Sequence, residues 1–301
     1  MALPPGLQTA HKPVGVSSFS LVHALQEETA RAGTKVPALC HGGTLDPFAE
    51  GLLLLLVGPA TRVFPLLHAL PKTYVAEVAW GLETDTGDAG GRPVHTGDAG
   101  PLTPQALDAA LAAHLGWQEQ VPPATSAKKI RGEPAYKRVW RGEEVVLPPS
   151  RVYLHRARWT AHHLPAHSTL ELTCRGGFYV RALARELGRT LGCGAHLTAL
   201  SRTQIGPWRD PGPGGAGIHV SGSALLPFLP ERDLSDQEVG ALRRREPIPA
   251  GPTRPGSWRW PTGFPPPEPM VAGLHQGHLR FVLMPTADGR WEPHLELGRG
   301  V

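Results

Sequence analysis

The first third of the chain alternates apolar and polar residues at both helical and strand spacing. Apolar residues at 21, 22 and 25 follow the capping hydroxyl of Ser17, which predicts a short helix. The apolar run Leu52–Val57 predicts a buried strand or helix segment. From Lys72 to Trp80 alternate residues are apolar, which predicts a half-buried strand that ends at the turn-rich Thr84–Asp88.

The middle of the chain continues this mixture. Val152–Trp159 and Leu170–Arg175 are predicted strands, and a helix is predicted from about Tyr179 to Leu191, with Gly192 as its stop. A further helix starts at Pro104 and is marked by three leucines four residues apart, Leu107, Leu111 and Leu115. No repeating strand–helix–strand period is visible, so the predicted class is α+β.

The C-terminal quarter shows signals of its own after the Pro/Gly segment Asp210–Gly215. Ser235 and Glu238 have the spacing of a capping box that opens a helix. Asp288–Gly289 separates two strand-like runs, Leu279–Met284 and Trp291–Leu297, as in a hairpin. We therefore predict a domain at 1–224 and a small β-rich domain at 225–301.

Composition limits the class of protein. At 301 residues and 41% hydrophobic content, the chain can form a sizeable core, and its 33 prolines and 36 glycines predict many ordered loops. Its 3 cysteines form no CxxC pair, so neither a disulfide framework nor a zinc site is indicated. Residues 1–9 contain no basic segment followed by an apolar core, and the longest apolar run is too short to cross a bilayer, so we expect a cytoplasmic protein without membrane contact.

Positive charge is concentrated in the middle of the chain. The net charge is only +4, yet residues 121–160 hold 9 basic and 3 acidic side chains. Such a cluster is typical of a surface that binds a polyanion, although a solvated basic surface explains it equally well. Tyr136, Trp140, Tyr153 and Trp159 lie among these charges and slightly favour RNA, whose unpaired bases stack on aromatic rings.

One carboxylate has an unusual setting, in the stretch His41–Pro47. Glycines at 42 and 43 precede Asp46, and Pro47 follows it, so the backbone around this acid is restricted. A loop of this kind can aim a nucleophile. A tight turn in which Asp46 only caps backbone groups explains the local pattern at least as well.

Motifs over residues 11–206 follow the order found in one known family. They are Lys12-Pro13-x-Gly15-x-Ser17-Ser18, Gly43-Thr44-Leu45-Asp46-Pro47, Lys72-x-Tyr74, Thr84-Asp85-Thr86, Pro122-Pro123 with Lys129 and Tyr136, Tyr179-Val180-Arg181, and Arg202-Thr203. In these motifs the chain resembles the bacterial tRNA pseudouridine-55 synthases of the TruB family. Each motif alone is weak, but their common order makes the resemblance specific.

The resemblance implies a pseudouridine synthase fold, with a mixed, mainly antiparallel central sheet flanked by helices, and a small RNA-binding (PUA-like) domain at the C-terminus. It implies isomerisation of uridine-55 in the T-loop of tRNA, by base flipping, glycosidic bond cleavage and rejoining through C5. That reaction needs no cofactor and no metal, in agreement with the absence of a nucleotide-binding glycine motif. The tRNA is the expected partner, no protein partner is implied, and a monomer is the default expectation.

The resemblance also implies roles for single residues. Asp46 would be the essential carboxylate, Arg181 would pair with it, and Tyr74 would stack on the target base and accept a proton. His41 would help to displace the uridine. Contacts to RNA would come from Lys12, Lys129, Tyr136, Tyr179 and Arg202.

For each of these residues a simpler role stays open. Arginines are usually exposed, a tyrosine on a strand is often a core-edge residue, and basic side chains are usually solvated. The chain also departs from the family pattern at His11, Cys40, Thr125, Lys128, Gly177-Phe178 and Glu186.

Two other functions remain open from the sequence. One is an RNA-binding or tRNA-folding protein on the same scaffold without significant turnover. The other is a carboxylate-dependent glycosidase, which would need a second acid such as Glu50 or Asp85.

Overall fold

A computed structural model describes residues 3–298 and 301 of the chain. Within these residues the strands are β1 (Gly6–Lys12), β2 (Leu39–His41), β3 (Glu50–Val57), β4 (Lys72–Trp80), β5 (Leu82–Thr84), β6 (Pro93–Thr96), β7 (Gly116–Gln120), β8 (Lys129–Ile130), β9 (Glu133–Pro134), β10 (Ser150–His163), β11 (His167–Cys174), β12 (Ala195–Ile205), β13 (Trp208–Arg209), β14 (His219–Val220), β15 (Glu231–Asp233), β16 (Val271–His275), β17 (His278–Pro285) and β18 (Trp291–Glu296). The α-helices are α1 (Ser18–Arg31), α2 (Phe64–His68), α3 (Pro104–Ala112), α4 (Ala135–Trp140), α5 (Val180–Thr190) and α6 (Asp236–Arg243). Short 3₁₀ helices cover Gly58–Val63 and Gly222–Leu225.

A large mixed sheet forms the centre of the molecule. Its strand order is β14-β1-β3-β12-β4-β11-β10-β7, with β2 beside β3 and β13 beside β12. Neighbouring strands are antiparallel except β12 and β3, which are parallel where Ser201 and Arg202 lie opposite Glu50 and Gly51. The predicted mixed, mainly antiparallel sheet is confirmed.

The apolar run at Leu52–Val57, which the sequence left undecided, is a strand that is covered on both faces. Leu52, Leu54 and Leu56 belong to one core cluster, while Leu53 and Leu55 pack with Val22 of α1 on the other side. A strand buried on both faces needs no polar alternation, which explains the run of leucines.

Strand β4 has the alternating burial that its sequence predicted, with Tyr74 and the other even-numbered residues inside. Helix α1 begins at the predicted cap Ser17, α5 begins within one residue of the predicted start at Tyr179, and the capping box of Ser235 and Glu238 opens α6. Several boundaries differ from prediction, two of them at named residues. Helix α3 ends at Ala112, so Leu115 lies beyond it and is exposed, because β7 already begins at Gly116. Arg175 lies outside β11, which ends at Cys174.

The C-terminal part of the chain is β-rich, as predicted. Its sheet contains β15, β16, β17 and β18. The hairpin of β17 and β18 closes at Gly289, which has a φ of 78°. One core cluster joins the two sheets, because Leu7 and Leu54 of the large sheet share it with Phe228 and Ala272. The independent folding of residues 225–301 therefore stays a prediction.

A second core lies on one face of the large sheet, where α3 and α5 cover β4, β10 and β11. Tyr74 and Ala76 of β4 pack there with Leu107 of α3 and Leu183 of α5. This arrangement places the start of α5 over the same sheet face as Tyr74. Among the described residues, no helix is long and apolar enough to cross a membrane.

A substitution at Gly51 tests the close approach of β3 and β12. Its φ is 108°, and a Cβ there would lie 2.4 Å from the carbonyl oxygen of Arg202. We expect Gly51→Ala to lower the free energy of unfolding by about 3 kcal/mol, from backbone strain and overpacking together. Chemical denaturation followed by tryptophan fluorescence measures the change.

The control is Gly33→Ala. Gly33 also has a positive φ, 68°, but a Cβ there meets nothing within 4 Å. It should cost only about 1 kcal/mol, the strain of the left-handed backbone alone. Equal losses in the two variants would contradict the proposed steric role of Gly51.

Candidate active site

The loop from Gly42 to Pro47 is fixed by hydrogen bonds from three sides. The Gly42 N–H donates to the Leu54 carbonyl at 2.7 Å. The Ser18 hydroxyl donates to the Leu45 carbonyl at 3.0 Å and accepts from the Leu45 N–H at 2.9 Å. Gly43 has a φ of 145°, a value that glycine adopts readily. The loop is therefore part of the rigid scaffold, and it orients Asp46.

Arg202 holds the same loop from beneath. Its guanidinium donates to the carbonyls of Leu52 at 2.8 Å, Thr44 at 3.1 Å and Gly43 at 3.1 Å. Only 1% of Arg202 is exposed. An arginine buried in this way satisfies its donors on backbone carbonyls and thereby fixes their positions.

Asp46 and Arg181 form an ion pair, as the sequence predicted. Arg181 Nε donates to Asp46 Oδ2 at 2.9 Å; the arginine side chain is 4% exposed and the aspartate side chain 31%. The partly exposed carboxylate therefore faces a cleft while its partner is buried. A charge-assisted hydrogen bond of this kind fixes the direction of the carboxylate.

The rest of the Arg181 guanidinium is held by Thr86, Thr125 and Asp88, to which the sequence assigned no role in the site. Its Nη1 donates to the Thr86 carbonyl at 2.7 Å and to the Thr125 hydroxyl at 2.8 Å, and lies 3.6 Å from Asp88 Oδ2. One buried cation thus faces two carboxylates. Thr125, a departure from the family pattern, contributes a direct bond to Arg181.

Tyr74 lines the same cleft and is 8% exposed. Burial raises the pKa of its phenol to about 12. The phenol is therefore protonated at neutral pH, so Tyr74 offers a flat ring and a hydroxyl. A phenolate that accepts a proton, one of the roles implied by the resemblance, is disfavoured by this environment.

The cleft has a volume of about 290 Å³, at the small end of ligand sites, which occupy about 300–1,000 Å³. Asp46 is the only acid that lines it in the part of the chain that the structure describes, and neither Glu50 nor Asp85 does so. A glycosidase therefore lacks its second carboxylate here. The lining residues with titratable or charged side chains are Asp46, His68, Lys72, Tyr74, Lys128, Tyr179, Arg181 and Arg202.

Two predicted RNA contacts are placed differently from expectation. Lys12 is buried, and its ammonium donates to the carbonyls of Pro13 at 2.8 Å and Val16 at 2.7 Å. Burial lowers the pKa of Lys12 to about 8. Lys12 and Arg202 are therefore interior residues that hold the backbone, Arg202 also lines the cleft, and their contact to RNA stays a prediction.

His41 lies on β2 opposite Leu55 and is not among the residues that line the cleft. Its Nδ1 is buried without a hydrogen-bond partner among the described residues. Burial, with a smaller contribution from the charge of Arg202, lowers the pKa of His41. His41 directly precedes the loop that carries Asp46.

The remaining predicted contacts lie nearer the surface. Tyr179 lines the cleft, and its backbone N–H donates to Gln120 Oε1 at 2.8 Å. Lys129 is exposed on β8, and Tyr136 of α4 packs against Trp140 with ring centroids 4.9 Å apart. Lys128 also lines the cleft, and its ammonium contacts the Ser150 hydroxyl. Part of the positively charged region at residues 121–160, here called the basic window, therefore reaches the rim near Asp46.

Lys72 supports the wall of the cleft from inside. Its ammonium donates to the carbonyls of Leu70 at 3.0 Å, His68 at 3.1 Å and Leu67 at 3.2 Å. Burial lowers the pKa of this lysine to about 7. Among residues 3–298 and 301, no group of three or more His, Cys, Asp or Glu side chains could hold a metal ion.

Known proteins similar to this chain are pseudouridine synthases. A family model for the N-terminal domain of TruB family pseudouridylate synthases matches residues 31–180. The tRNA pseudouridine synthase B of Arthrobacter sp. (strain FB24) is 38% identical over 260 residues, which cover 82% of this chain and 83% of that protein.

A second relative matches over a shorter stretch. The tRNA pseudouridine synthase B of Xanthomonas campestris pv. campestris (strain 8004) is 41% identical over 206 residues. The match covers 68% of this chain but only 65% of the Xanthomonas protein.

Solved structures share the fold at low sequence identity. A crystal structure of a Cbf5-Nop10-Gar1 complex contains a chain that superposes with a TM-score of 0.68 at 18% identity, covering 97% of this chain and 84% of that chain. A Nop10-Cbf5 complex of an archaeal box H/ACA sRNP gives a TM-score of 0.58 at 17% identity, covering 93% and 78%. The predicted fold is confirmed.

The buried Lys72 should make stability depend on pH. An unfolded lysine holds its proton up to about pH 10.4, whereas Lys72 in the folded protein releases it near pH 7. Between these values the unfolded chain binds more protons, so this lysine makes the free energy of unfolding rise with pH. We expect this contribution to be absent in Lys72→Met.

The measurement is chemical denaturation of both proteins from about pH 7 to about pH 9. The difference between them isolates the lysine, because Tyr74 and Cys174, whose pKa values burial raises to about 12, are common to both. The exposed Lys35 supplies the control variant Lys35→Met, which should keep the wild-type slope. Identical slopes for wild type and Lys72→Met would refute the assignment.

Proposed function

The chain belongs to the TruB family of pseudouridylate synthases, and we propose that it isomerises uridine-55 in the T-loop of tRNA to pseudouridine. The observation that carries this proposal is the ion pair of Asp46 and Arg181 in a cleft that Tyr74 also lines. The proposed enzyme is an isomerase, with tRNA as its partner and the cytoplasm as its location. It needs no cofactor, no metal and no protein partner, and it acts as a monomer.

The proposed reaction breaks the bond between N1 of the base and C1′ of the ribose, rotates the base, and forms a bond between C5 and C1′. The proton on C5 is lost to solvent, and N1 gains a proton, so the product is an isomer of the substrate. The Asp46 carboxylate either attacks C1′ or assists elimination. Arg181 bonds to Oδ2, which leaves Oδ1 of the partly exposed carboxylate to face the substrate.

Base recognition follows from the size of the cleft. A base stacked in the T-loop is out of reach of Asp46, so the uridine must turn out of the RNA to enter. The ring of Tyr74 would then stack on the uracil, with Tyr179 beside it. His41, behind the loop, would act on the RNA only after a local rearrangement.

The remaining RNA contacts are proposed along the basic window and in the C-terminal part. Lys129 is exposed, and Tyr136 and Trp140 of the neighbouring helix carry aromatic surface. Phosphate contacts of this kind give affinity without sequence preference. Residues 225–301 are proposed as the small RNA-binding domain beside the catalytic domain at 1–224.

Release of tritium from C5 of labelled uridine in unmodified tRNA tests the activity, and Asp46→Asn tests its nucleophile. The amide keeps the size of the side chain and an acceptor for Arg181 but has no charge, so we expect turnover to fall by roughly 10⁴-fold or more. Binding of tRNA, measured by filter retention, should stay near wild type.

The outcomes separate the alternatives. Wild-type protein that binds tRNA and accelerates its folding without releasing tritium would favour the RNA-binding or tRNA-folding function. Release that survives in Asp46→Asn would exclude Asp46 as the essential carboxylate.

Arg181→Lys tests the geometry of the ion pair. A lysine keeps the charge but has no planar set of donors, so it cannot bond at once to Asp46, Thr86 and Thr125. We expect kcat to fall by about 100-fold, with little change in tRNA binding.

Arg185→Lys is the matched control. Arg185 lies one turn further along α5 and bonds to the Val121 carbonyl. We expect the Arg185→Lys variant to keep most of the wild-type activity. Equal losses in the two variants would show that only the helix, and not the contact to Asp46, is affected.

A further inference from the structure

A long segment without helix or strand bridges the two sheets. Residues 251–270, here called the bridging segment, lie between α6 and β16, and seven of these twenty residues are proline. Proline restricts the backbone, so such a segment can hold a defined path without regular secondary structure. By sequence it belongs to the C-terminal part, yet it reaches β10 of the large sheet.

The near end of the bridging segment is fixed to the C-terminal part. The backbones of Arg254 and Glu231 exchange two hydrogen bonds, each of 2.8 Å. The Trp258 N–H donates to the Pro227 carbonyl at 2.9 Å, and Trp260 packs edge-on against Phe228 at 5.8 Å between ring centroids.

The middle of the bridging segment is fixed to the large sheet through Phe264, which is 4% exposed. Its ring packs edge-on against Tyr153 at 5.7 Å and against His155 at 5.4 Å, and stacks on Trp260 at 5.9 Å. The Tyr153 hydroxyl donates to the Gly263 carbonyl at 3.0 Å. The ring of Phe264 therefore links β10 to the aromatic cluster of the C-terminal part.

The next residue contacts the wall of the cleft. Arg175 Nη1 donates to the Pro265 carbonyl at 2.7 Å, and the Arg175 N–H donates to the Tyr153 carbonyl at 2.9 Å. Arg175 opens the turn Arg175–Phe178, here called the wall turn, of which residues 176–178 line the cleft.

On its other side the wall turn meets the backbone of His68. A Cβ at Gly176 would lie 2.1 Å from the His68 carbonyl oxygen, so the two backbones are in close contact. That carbonyl is in turn held by the ammonium of Lys72. The wall turn is therefore clamped between an internal support and the bridging segment.

We propose that Phe264 and the Pro265 carbonyl are positioning groups for the active-site cleft, which hold the wall turn at a fixed distance from Asp46. Through them the C-terminal part sets the shape of the site that receives the flipped base. Phe264 touches no substrate; it acts through Tyr153 and Arg175. The inference rests on the proposed function for its effect on turnover, and on the structure alone for its effect on the wall turn.

The test compares Phe264→Ala with Trp258→Ala. Both remove an aromatic ring from the bridging segment, but Trp258 packs against Trp260 and has no aromatic contact to β10. We expect Phe264→Ala to lower kcat for tritium release by about 10- to 100-fold with tRNA binding retained, because a small displacement of the site is costly. Trp258→Ala should leave kcat near wild type even if it lowers Tm equally.

Two further measurements separate positioning from general destabilisation. Phe264→Leu, which restores apolar volume against Tyr153, should recover most of the lost kcat. Hydrogen–deuterium exchange at the amides of Arg175 and Phe178, which donate to the carbonyls of Tyr153 and Arg175, should speed up in Phe264→Ala and stay at the wild-type rate in Trp258→Ala.

Each outcome bears on a different claim. Wild-type protein without tritium release refutes the proposed function, and amide exchange then decides the positioning role by itself. Wild-type kcat in Phe264→Ala, or unchanged exchange at the wall turn, overturns the inference. Equal loss of kcat and equal exchange in both alanine variants also overturns it, since the effect would then be general.

Discussion

Two buried guanidinium groups determine how the candidate site is built. An arginine without water must place its donors on protein acceptors, because an unpaired buried charge is very unfavourable. Arg202 meets this requirement on three carbonyls of the Asp46 loop and of β3, and Arg181 meets it on Asp46, Thr86 and Thr125. The loop cannot shift without leaving one of these cations short of acceptors. The direction of the Asp46 carboxylate thus follows from the solvation needs of its neighbours.

The same need extends to the lysines behind the site. The ammonium group of Lys12 donates to two backbone carbonyls near the loop that carries Asp46. The ammonium group of Lys72 donates to three backbone carbonyls behind the cleft wall. Burial lowers the pKa of both, to about 8 and about 7, so their charge is held at a cost to stability.

Much of this arrangement could be predicted from the sequence, but for different reasons in different places. The alternation in β4, the Ser17 cap of α1 and the Gly192 stop after α5 are local signals, and they correctly placed Tyr74 on a strand and Arg181 on a helix. The pairing of Asp46 with Arg181 joins positions 135 residues apart and came only from resemblance to a family. Arg202 was assigned to RNA binding from the resemblance alone, and its burial beneath the Asp46 loop was not predicted. It has the same strand parity as the buried Leu200, which indicated the interior.

Other features had no sequence signal of this kind. Asp88 and Thr125 approach Arg181 from two separate loops, and only the folded chain brings them together. The path of the bridging segment is also invisible in the sequence, since proline and tryptophan content indicates stiffness and apolar surface but not a destination. Leu115 continued a helical spacing that the start of β7 interrupts.

The position of Tyr74 in the sheet has a consequence for how such a site can diverge. Tyr74 lies opposite Arg202 on β12 and Leu172 on β11. Strand β4 is therefore paired on both sides at this residue. A shift of its backbone would require the three strands to change register together. The turns around the cleft are not bound by that constraint. Selectivity among related RNAs is therefore expected to evolve in the turns, while the strand that carries the ring stays the same.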